Sequence, residues 1–116
     1  CVFYGTELPL SGEGDPDCRK TFDWSFKNQN ADYASNIKRI LALKKQPALS
    51  GARARITAEN GLLKITREAA GESVTALFNA SGKEISIECG GEVLFGLNCN
   101  GGKLLDGGTA VVKNKT

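Results

Sequence analysis

The sequence contains no histidine, so no mixed cysteine–histidine metal site can be completed. Its cysteines stand at positions 1, 18, 89 and 99, and their spacing matches neither a zinc-binding pattern nor a short thiol-redox motif. We therefore expect no metal and no other cofactor. A disulfide between Cys89 and Cys99 is one alternative, but we favour free thiols in a reducing cytoplasm, and hence a cytoplasmic location.

An excess of charge of one sign is also absent, as are long apolar segments. Lys and Arg total 15 and Asp and Glu total 13, and the net charge of +2 is too small to indicate a nucleic acid or an anionic membrane as partner. No apolar run approaches the length that spans a bilayer, and no signal peptide is visible. The opening residues Cys1-Val2-Phe3-Tyr4 are not typical of a natural start, so we expect a longer polypeptide upstream.

The composition changes once, near Ser50, and the residues before that point predict a strand, a long loop and a helix. Cys1–Tyr4 is a short apolar run that suits a strand buried on both faces, as in a parallel sheet. Residues 5–30 are rich in Gly, Pro, Asp, Asn and Ser, which predicts a long loop. The apolar spacing across Ala31–Lys45 predicts a helix that Pro47 ends. Its apolar stripe must pack on the following residues or on structure outside this sequence.

Residues 50–116 change to a period of two, which is typical of strands. Asn60-Gly61 is a strong hairpin signal because both turn positions require positive φ. Further strands are predicted over residues 73–79, 84–89, 92–97 and 109–113, with a glycine-rich loop over 98–108. Six or so short strands with regular turns predict a mainly β fold, an antiparallel β-sandwich or Greek-key sheet.

Four segments together resemble the end of the α-amylase superfamily of glycoside hydrolases, in its neopullulanase and cyclomaltodextrinase branch. They are Tyr4-Gly5-Thr6-Glu7, Asp15-Pro16-Asp17-Cys18-Arg19, Asp23-Trp24 and the run from Ile37 to Leu49 that ends in Gln-Pro-Ala-Leu. The resemblance implies that residues 1–49 are the last strand, loop and helix of a (β/α)8 barrel and that residues 50–116 are the C-terminal β domain. Thr6 departs from the family pattern, in which Asp is usual at this position.

The resemblance also implies which chemistry is present. Glycosidic hydrolysis needs two carboxyl groups across the scissile bond, and in this family these groups lie on earlier barrel strands. We therefore expect no catalytic residue in this chain, and no hydrolysis by the chain alone, although the parent protein would be a glycoside hydrolase. Its partner would be an α-glucan or maltooligosaccharide.

Asp15 and Arg19 are the candidate substrate-binding residues. The resemblance implies that they hold a glucose unit. The carboxylate would accept hydrogen bonds from its hydroxyl groups, and the guanidinium would donate hydrogen bonds from a rigid fork of N–H groups. In the alternative interpretation Asp15-Pro16 starts a turn and Arg19 pairs with Asp15 or Asp17. We favour sugar binding in the parent and the alternative in the isolated chain. Trp24 either stacks on a sugar face or serves, as a lone Trp more often does, as a packing anchor.

Two other functions stay open. A non-catalytic carbohydrate-binding module would need an exposed aromatic platform, but residues 50–116 contain no Trp or Tyr. A protein-interaction module would expose the strand Val2–Tyr4, whose edge pairs with another chain, including a second copy of this one.

Overall fold

The computed structural model describes residue 2 and residues 5–25, 30–50, 53–88 and 90–115. The chain divides into two compact units, Cys1–Ala42 and Leu43–Thr116. The division falls a few residues before the predicted boundary at residue 49, which stays a prediction. Apart from Val2, the predicted strand Cys1–Tyr4 lies outside the described residues, and so does Cys89.

The first unit contains one long loop and one helix. Residues 5–25 hold no regular element except a 3-10 turn at Asp17–Arg19, in agreement with the predicted loop. Helix α1 (Ala31–Ala42) begins at the predicted residue, and none of its residues is buried. Helical structure then tightens to a 3-10 turn over Leu43–Lys45 instead of continuing as α-helix to Lys45 as predicted. Gln46 is extended, with φ −70° and ψ 125°, because the following proline disfavours helical geometry there.

The second unit is an antiparallel sheet, which confirms the predicted mainly β fold. Its strands are β1 (Arg55–Glu59), β2 (Leu62–Ala69), β3 (Glu72–Asn79), β4 (Ile85–Ser86), β5 (Glu92–Asn100) and β6 (Lys103–Lys115). Strands β1, β2, β3 and β6 follow one another across the sheet, and both β4 and β5 also pair with β6. Across the described ranges, none of the helices has the length and hydrophobicity that a bilayer span requires.

Two-residue turns set the register of the strands. Asn60 and Gly61 have φ of 51° and 78° and join β1 to β2, as predicted. Ala70 and Gly71, with φ of 56° and 73°, join β2 to β3 in the same way, although this turn was not predicted. Both connections place positive φ at both turn positions, which matches the twist of the flanking strands.

The predicted glycine-rich loop over residues 98–108 is wrong. These residues extend β5 and begin β6, and the two strands meet at a tight turn at Gly101 and Gly102, whose φ values are 54° and 77°. The glycines therefore serve a hairpin turn and register shifts within paired strands, not a long loop.

The strand predicted over residues 84–89 is also much shorter, since β4 spans two residues. Ile85 and Ser86 pair with Leu104 and Lys103 at the start of β6. The next amide, of Ile87, donates to the carbonyl of Gly102 within the β5–β6 turn at 2.8 Å. The ladder ends there because its partner strand ends.

The sheet is buried on both faces at its centre, where alternate residues of β3 enter different clusters. Val74 packs on one face with Ala48, Phe95 and Val111. Leu77 packs on the other face with Leu104, Ala110 and Val112. This explains why β3 is apolar on both sides in the sequence. The 3-10 turn at Pro47–Leu49 contributes Ala48, which is fully buried, to the first cluster.

Candidate functional site

The candidate site is the loop from Gly12 to Arg19, which local backbone hydrogen bonds hold in a compact form. The Asp15–Pro16 peptide bond is cis. The amide of Asp17 donates to the carbonyl of Gly14 at 2.9 Å, and the amide of Arg19 donates to the carbonyl of Pro16 at the same distance. At Gly12 a Cβ would lie 3.1 Å from the carbonyl oxygen of Asp17, so this position favours a residue without a side chain.

Asp15 and Arg19 are brought together by this turn. Arg19 Nε lies 3.2 Å from Asp15 Oδ1, and the two side chains are 71% and 60% exposed. The turn and the ion pair of the alternative interpretation are thus both present in the chain. A guanidinium has five N–H donors and a carboxylate has two acceptor oxygens, so the pair retains free groups on its solvent side. The contact with a sugar stays a prediction.

Asp17, which the sequence analysis named only as an alternative partner of Arg19, is a structural residue of this loop. Its Oδ2 accepts a hydrogen bond from the amide of Glu13 at 2.8 Å, and its Oδ1 lies 3.5 Å from Lys20 Nζ. The backbone hydrogen bond from Glu13, and secondly the charge of Lys20, lower the pKa of the Asp17 carboxyl below its usual value. Asp17 therefore stays ionised and holds the start of the loop to the 3-10 turn. The sequence signal that could have identified this role of Asp17 is an acidic residue three or four positions after a glycine-rich segment.

An exposed aromatic pair lies a few residues further along the chain. Trp24 is 75% exposed, and its ring packs beside that of Phe22 with centroids 4.6 Å apart and planes tilted by 56°. Asp23 Oδ1 accepts hydrogen bonds from the amide and the hydroxyl of Ser25, at 2.9 and 2.6 Å. With three-quarters of its surface exposed, Trp24 is not the buried packing anchor that a lone Trp more often provides.

A cavity of about 350 Å³ lies within the first unit beside this loop. Its lining includes Gly5, Leu8, Pro9, Leu10, Cys18 and Lys20. Gly5 has a φ of +84°, and a Cβ there would approach Leu10 Cδ1 to 2.8 Å. Leu8 is buried and its amide donates to the carbonyl of Gly5 at 3.0 Å. The residues after Tyr4 therefore form a folded turn that supports one side of the cavity.

Comparison with known proteins finds relatives of one kind. No family model matches the chain. An intracellular maltogenic amylase of Bacillus subtilis strain 168 is 50% identical over 46 residues, which are 40% of this chain and 8% of the relative. A cyclomaltodextrinase of Geobacillus thermopakistaniensis is 39% identical over 46 residues, with the same coverage.

Solved structures extend the likeness to nearly the whole chain. The maltogenic amylase from S. marinus superposes with a TM-score of 0.79 and 26% identity over 98% of this chain and 17% of its own. The ligand-free cyclic alpha-maltosyl-(1→6)-maltose hydrolase from Arthrobacter globiformis gives a TM-score of 0.76 and 26% identity over 97% of this chain and 26% of its own.

The chain is similar to enzymes of the α-amylase family. It matches the C-terminal, β-rich part of these enzymes, as the resemblance of the sequence implied. The homologues are α-glucan hydrolases, and this chain covers only 8% of the length of the two curated relatives named above. For this chain, the activity of these relatives is therefore a proposal.

In the part of the chain that the structure describes, the remaining reactive groups are dispersed. Within residues 5–25, 30–50, 53–88 and 90–115, no three Cys, Asp or Glu side chains are arranged to hold a metal ion. Cys18 and Cys99 are free thiols. The choice between free thiols and a Cys89–Cys99 disulfide stays a prediction, since Cys89 lies outside the described residues. The expectation that no carboxylate in this chain is catalytic stays a prediction.

Proposed function

We propose that this chain is the closing part of an α-glucan hydrolase, comprising the end of a (β/α)8 catalytic barrel in residues 1–49 and a C-terminal β domain in residues 50–116. The β domain acts as a stabilising accessory domain. The catalytic carboxylates belong to earlier barrel strands, and the chain contributes one substrate-binding loop. The observation that carries this proposal is the 50% identity over 46 residues to an intracellular maltogenic amylase, together with structural likeness over 98% of the chain.

Within this proposal, Asp15 and Arg19 hold one glucose unit of a maltooligosaccharide. The solved structures similar to this chain include the Arthrobacter globiformis hydrolase in complex with maltose, which supports an oligosaccharide as the ligand of the parent. Both side chains are more than half exposed, so sugar hydroxyls can reach the free donors and acceptors of the pair. In the isolated chain the two side chains pair with each other, and their remaining donors and acceptors face solvent.

The second unit, Leu43–Thr116, which we call the β unit, has few features that support an independent carbohydrate-binding function. Its aromatic residues are Phe78, which is 41% exposed, and Phe95, which is 2% exposed. One partly exposed ring does not form the platform on which a module without a cleft would stack a sugar.

Activity assays on two polypeptides test the proposal. The first is the 116-residue chain, and the second is the longer polypeptide encoded in frame with it. We expect the longer polypeptide to release reducing sugar from maltooligosaccharides and cyclodextrins, and the 116-residue chain to release none. Cleavage by the short chain that single substitutions abolish would contradict the proposal, as would an inactive, folded longer polypeptide.

Substitutions in the longer polypeptide test the two site residues. Asp15→Asn and Arg19→Gln each remove a charge-assisted hydrogen bond, which is worth about 1.5–3 kcal/mol, so we expect KM for maltotriose to rise roughly ten- to hundredfold with a smaller change in kcat. Glu13→Gln is the matched control. It removes a charge from the same loop and keeps the backbone N–H of residue 13, which donates a hydrogen bond to Asp17. An unchanged KM in both site variants would show that Asp15 and Arg19 do not bind the substrate.

A further inference from the structure

Strand β1 forms an open edge of the sheet. Among the strands of the described residues, it lies at the end of the strand order and pairs with β2 alone. All five of its residues are exposed, and Ile56, an apolar side chain in the middle of the strand, is 62% exposed. An edge strand presents unpaired backbone groups to any chain that can add a strand there.

The turn decides which backbone groups of β1 point outward. In a hairpin closed by a two-residue turn, the flanking residues, here Glu59 and Leu62, form a hydrogen-bonded pair. Hydrogen-bonded pairs recur at every second residue, so Thr57 and Arg55 also direct their backbone groups toward β2. Ile56 and Ala58 therefore direct their N–H and C=O groups away from the sheet.

Strand β1 carries opposite charges on the two sides of its middle residue. Arg55 and Glu59 lie two residues on either side of Thr57, and all three share one face of the strand. An antiparallel partner of the same sequence, centred on Thr57, places Arg55 of each copy opposite Glu59 of the other. The same centre places Ile56 opposite Ala58, so that their outward backbone groups form hydrogen-bonded pairs.

We propose that β1 is a self-association edge, at which two copies of this chain join their sheets by antiparallel pairing centred on Thr57. Charges usually protect an edge strand from pairing because a partner strand cannot match them. Here the opposite charges match when the partner is a second copy in antiparallel orientation, which favours that partner over others. The pairing also covers part of the exposed Ile56. This edge differs from the predicted self-association strand Val2–Tyr4, of which only Val2 is described.

Two neighbouring registers also satisfy outward backbone groups of β1. Centring the pair on Ile56 places Glu59 opposite Arg53, which lies outside the strand, and leaves Arg55 opposite Thr57. Centring it on Ala58 places Thr57 opposite Glu59 and Ile56 opposite Asn60, which lies in the turn. Only the centre at Thr57 pairs all five residues of β1 with one another, and the tests below distinguish it from the other two.

The mass of the 116-residue chain in solution is the first test. Light scattering during gel filtration should show a species of twice 12.3 kDa whose fraction rises with chain concentration and falls with added salt. Glu59→Arg places like charges opposite each other and should shift the chain to monomer. Glu92→Arg, which makes the same charge change at an exposed residue of β5, should leave the dimer fraction unchanged.

Mixing two variants tests the proposed charge pairs directly. Arg55→Glu and Glu59→Arg should each be monomeric alone, and an equimolar mixture should form a heterodimer, because each then offers two charges that the other matches. Arg55 also lies 3.3 Å from Glu68 on β2, so circular dichroism of each variant confirms that the sheet is intact. A monomeric wild-type chain at every concentration, or a dimer that Glu59→Arg does not weaken, would overturn the proposal.

Disulfide trapping reports the register without relying on the charge variants. In the Thr57-centred pair the two Thr57 residues are directly opposite in a non-hydrogen-bonded position, with Cα atoms about 4.5 Å apart, a spacing at which a disulfide forms. Thr57→Cys should yield a covalent dimer under mild oxidation beyond the background from native thiols in the wild-type chain. Cross-linking of Ile56→Cys or Ala58→Cys in its place would reject the Thr57 register, and cross-linking of none of the three would reject the edge as the interface.

Discussion

At the scale of single residues, Asn79 links separate backbone segments of the β unit through several side-chain hydrogen bonds. Its side chain is 2% exposed. Its Nδ2 donates to the carbonyls of Lys83, Leu104 and Leu105 at 2.8, 3.0 and 3.0 Å, and its Oδ1 accepts from the amide of Ser81 at 3.0 Å. One buried amide therefore shares its two N–H donors among carbonyl groups of the turn after β3 and of β6, and its contact with Leu104 is buried.

Replacing Asn79 should lower the free energy of unfolding substantially. Asn79→Ala leaves buried carbonyl groups unsatisfied, and we expect a loss of about 2–4 kcal/mol in urea unfolding of the 116-residue chain. Asn79→Asp puts an acceptor in place of the donor and should be at least as costly at neutral pH. Asn100→Ala, at an exposed position of β5, should change stability by less than about 0.5 kcal/mol. Equal losses at the two positions would show that the buried network contributes nothing.

The sequence predicts residues of this kind unevenly. Asp15 and Arg19 were identified because a motif of the family contains them. Asn79 was predicted as the last residue of a strand, and nothing local indicates that β6, 25 residues later, supplies its partners. Long-range hydrogen bonds of this type depend on topology, which residue spacing does not encode.

At the scale of elements, the two hairpins at the start of the sheet use equivalent turns in different surroundings. Gly61 and Gly71 are each the second turn residue, with φ of 78° and 73°. A Cβ at Gly61 would lie 2.5 Å from Ser81 Cα, whereas a Cβ at Gly71 would have no atom within 4 Å. The carbonyl of Gly61 also accepts the amide of Ala80 at 2.8 Å. The first hairpin turn is thus packed against the connection that leaves β3.

This difference predicts different costs for the same substitution. Gly71→Ala should lose about 1–2 kcal/mol, the cost of positive φ for a residue with a side chain. Gly61→Ala carries that cost and also clashes with backbone atoms that cannot rotate away, so we expect a loss about 1–3 kcal/mol larger. Thermal or urea unfolding of both variants measures the difference. If the two variants were equally stable, the contact between this turn and Ser81 would not be part of the folded structure.

The elements also show where sequence patterns are sufficient. Alternation and an Asn-Gly pair predict β1 and β2, and the start of α1 follows from helical spacing. The run of glycines after Asn98 predicts a loop, yet Gly107 and Gly108 lie within β6, where a Cβ at Gly108 would approach the carbonyls of Asn98 and Leu105 to 2.7 Å. Glycine there permits close approach of backbones at a bend, and composition does not distinguish this use from a flexible loop.

At the scale of the whole molecule, the two units differ in how their backbone is held. In residues 5–25 the backbone hydrogen bonds link residues two to four positions apart. In the β unit, β3 and β6 each pair with strands on both sides and contribute to two buried clusters. Opening the first set of bonds exposes little apolar surface, whereas opening the second disrupts the core.

Native-state hydrogen exchange should therefore separate the units. In the 116-residue chain we expect amides of residues 5–25 to exchange by local opening, with far smaller protection factors than those at the centres of β3 and β6, which should approach the global free energy of unfolding. In the longer polypeptide, where the proposed barrel would surround the loop, protection of residues 5–25 should rise while that of β3 changes little. Protection in residues 5–25 of the short chain equal to that of β3 would mean that this loop is complete without a barrel, and the interpretation of residues 1–49 as a barrel remnant would then be wrong.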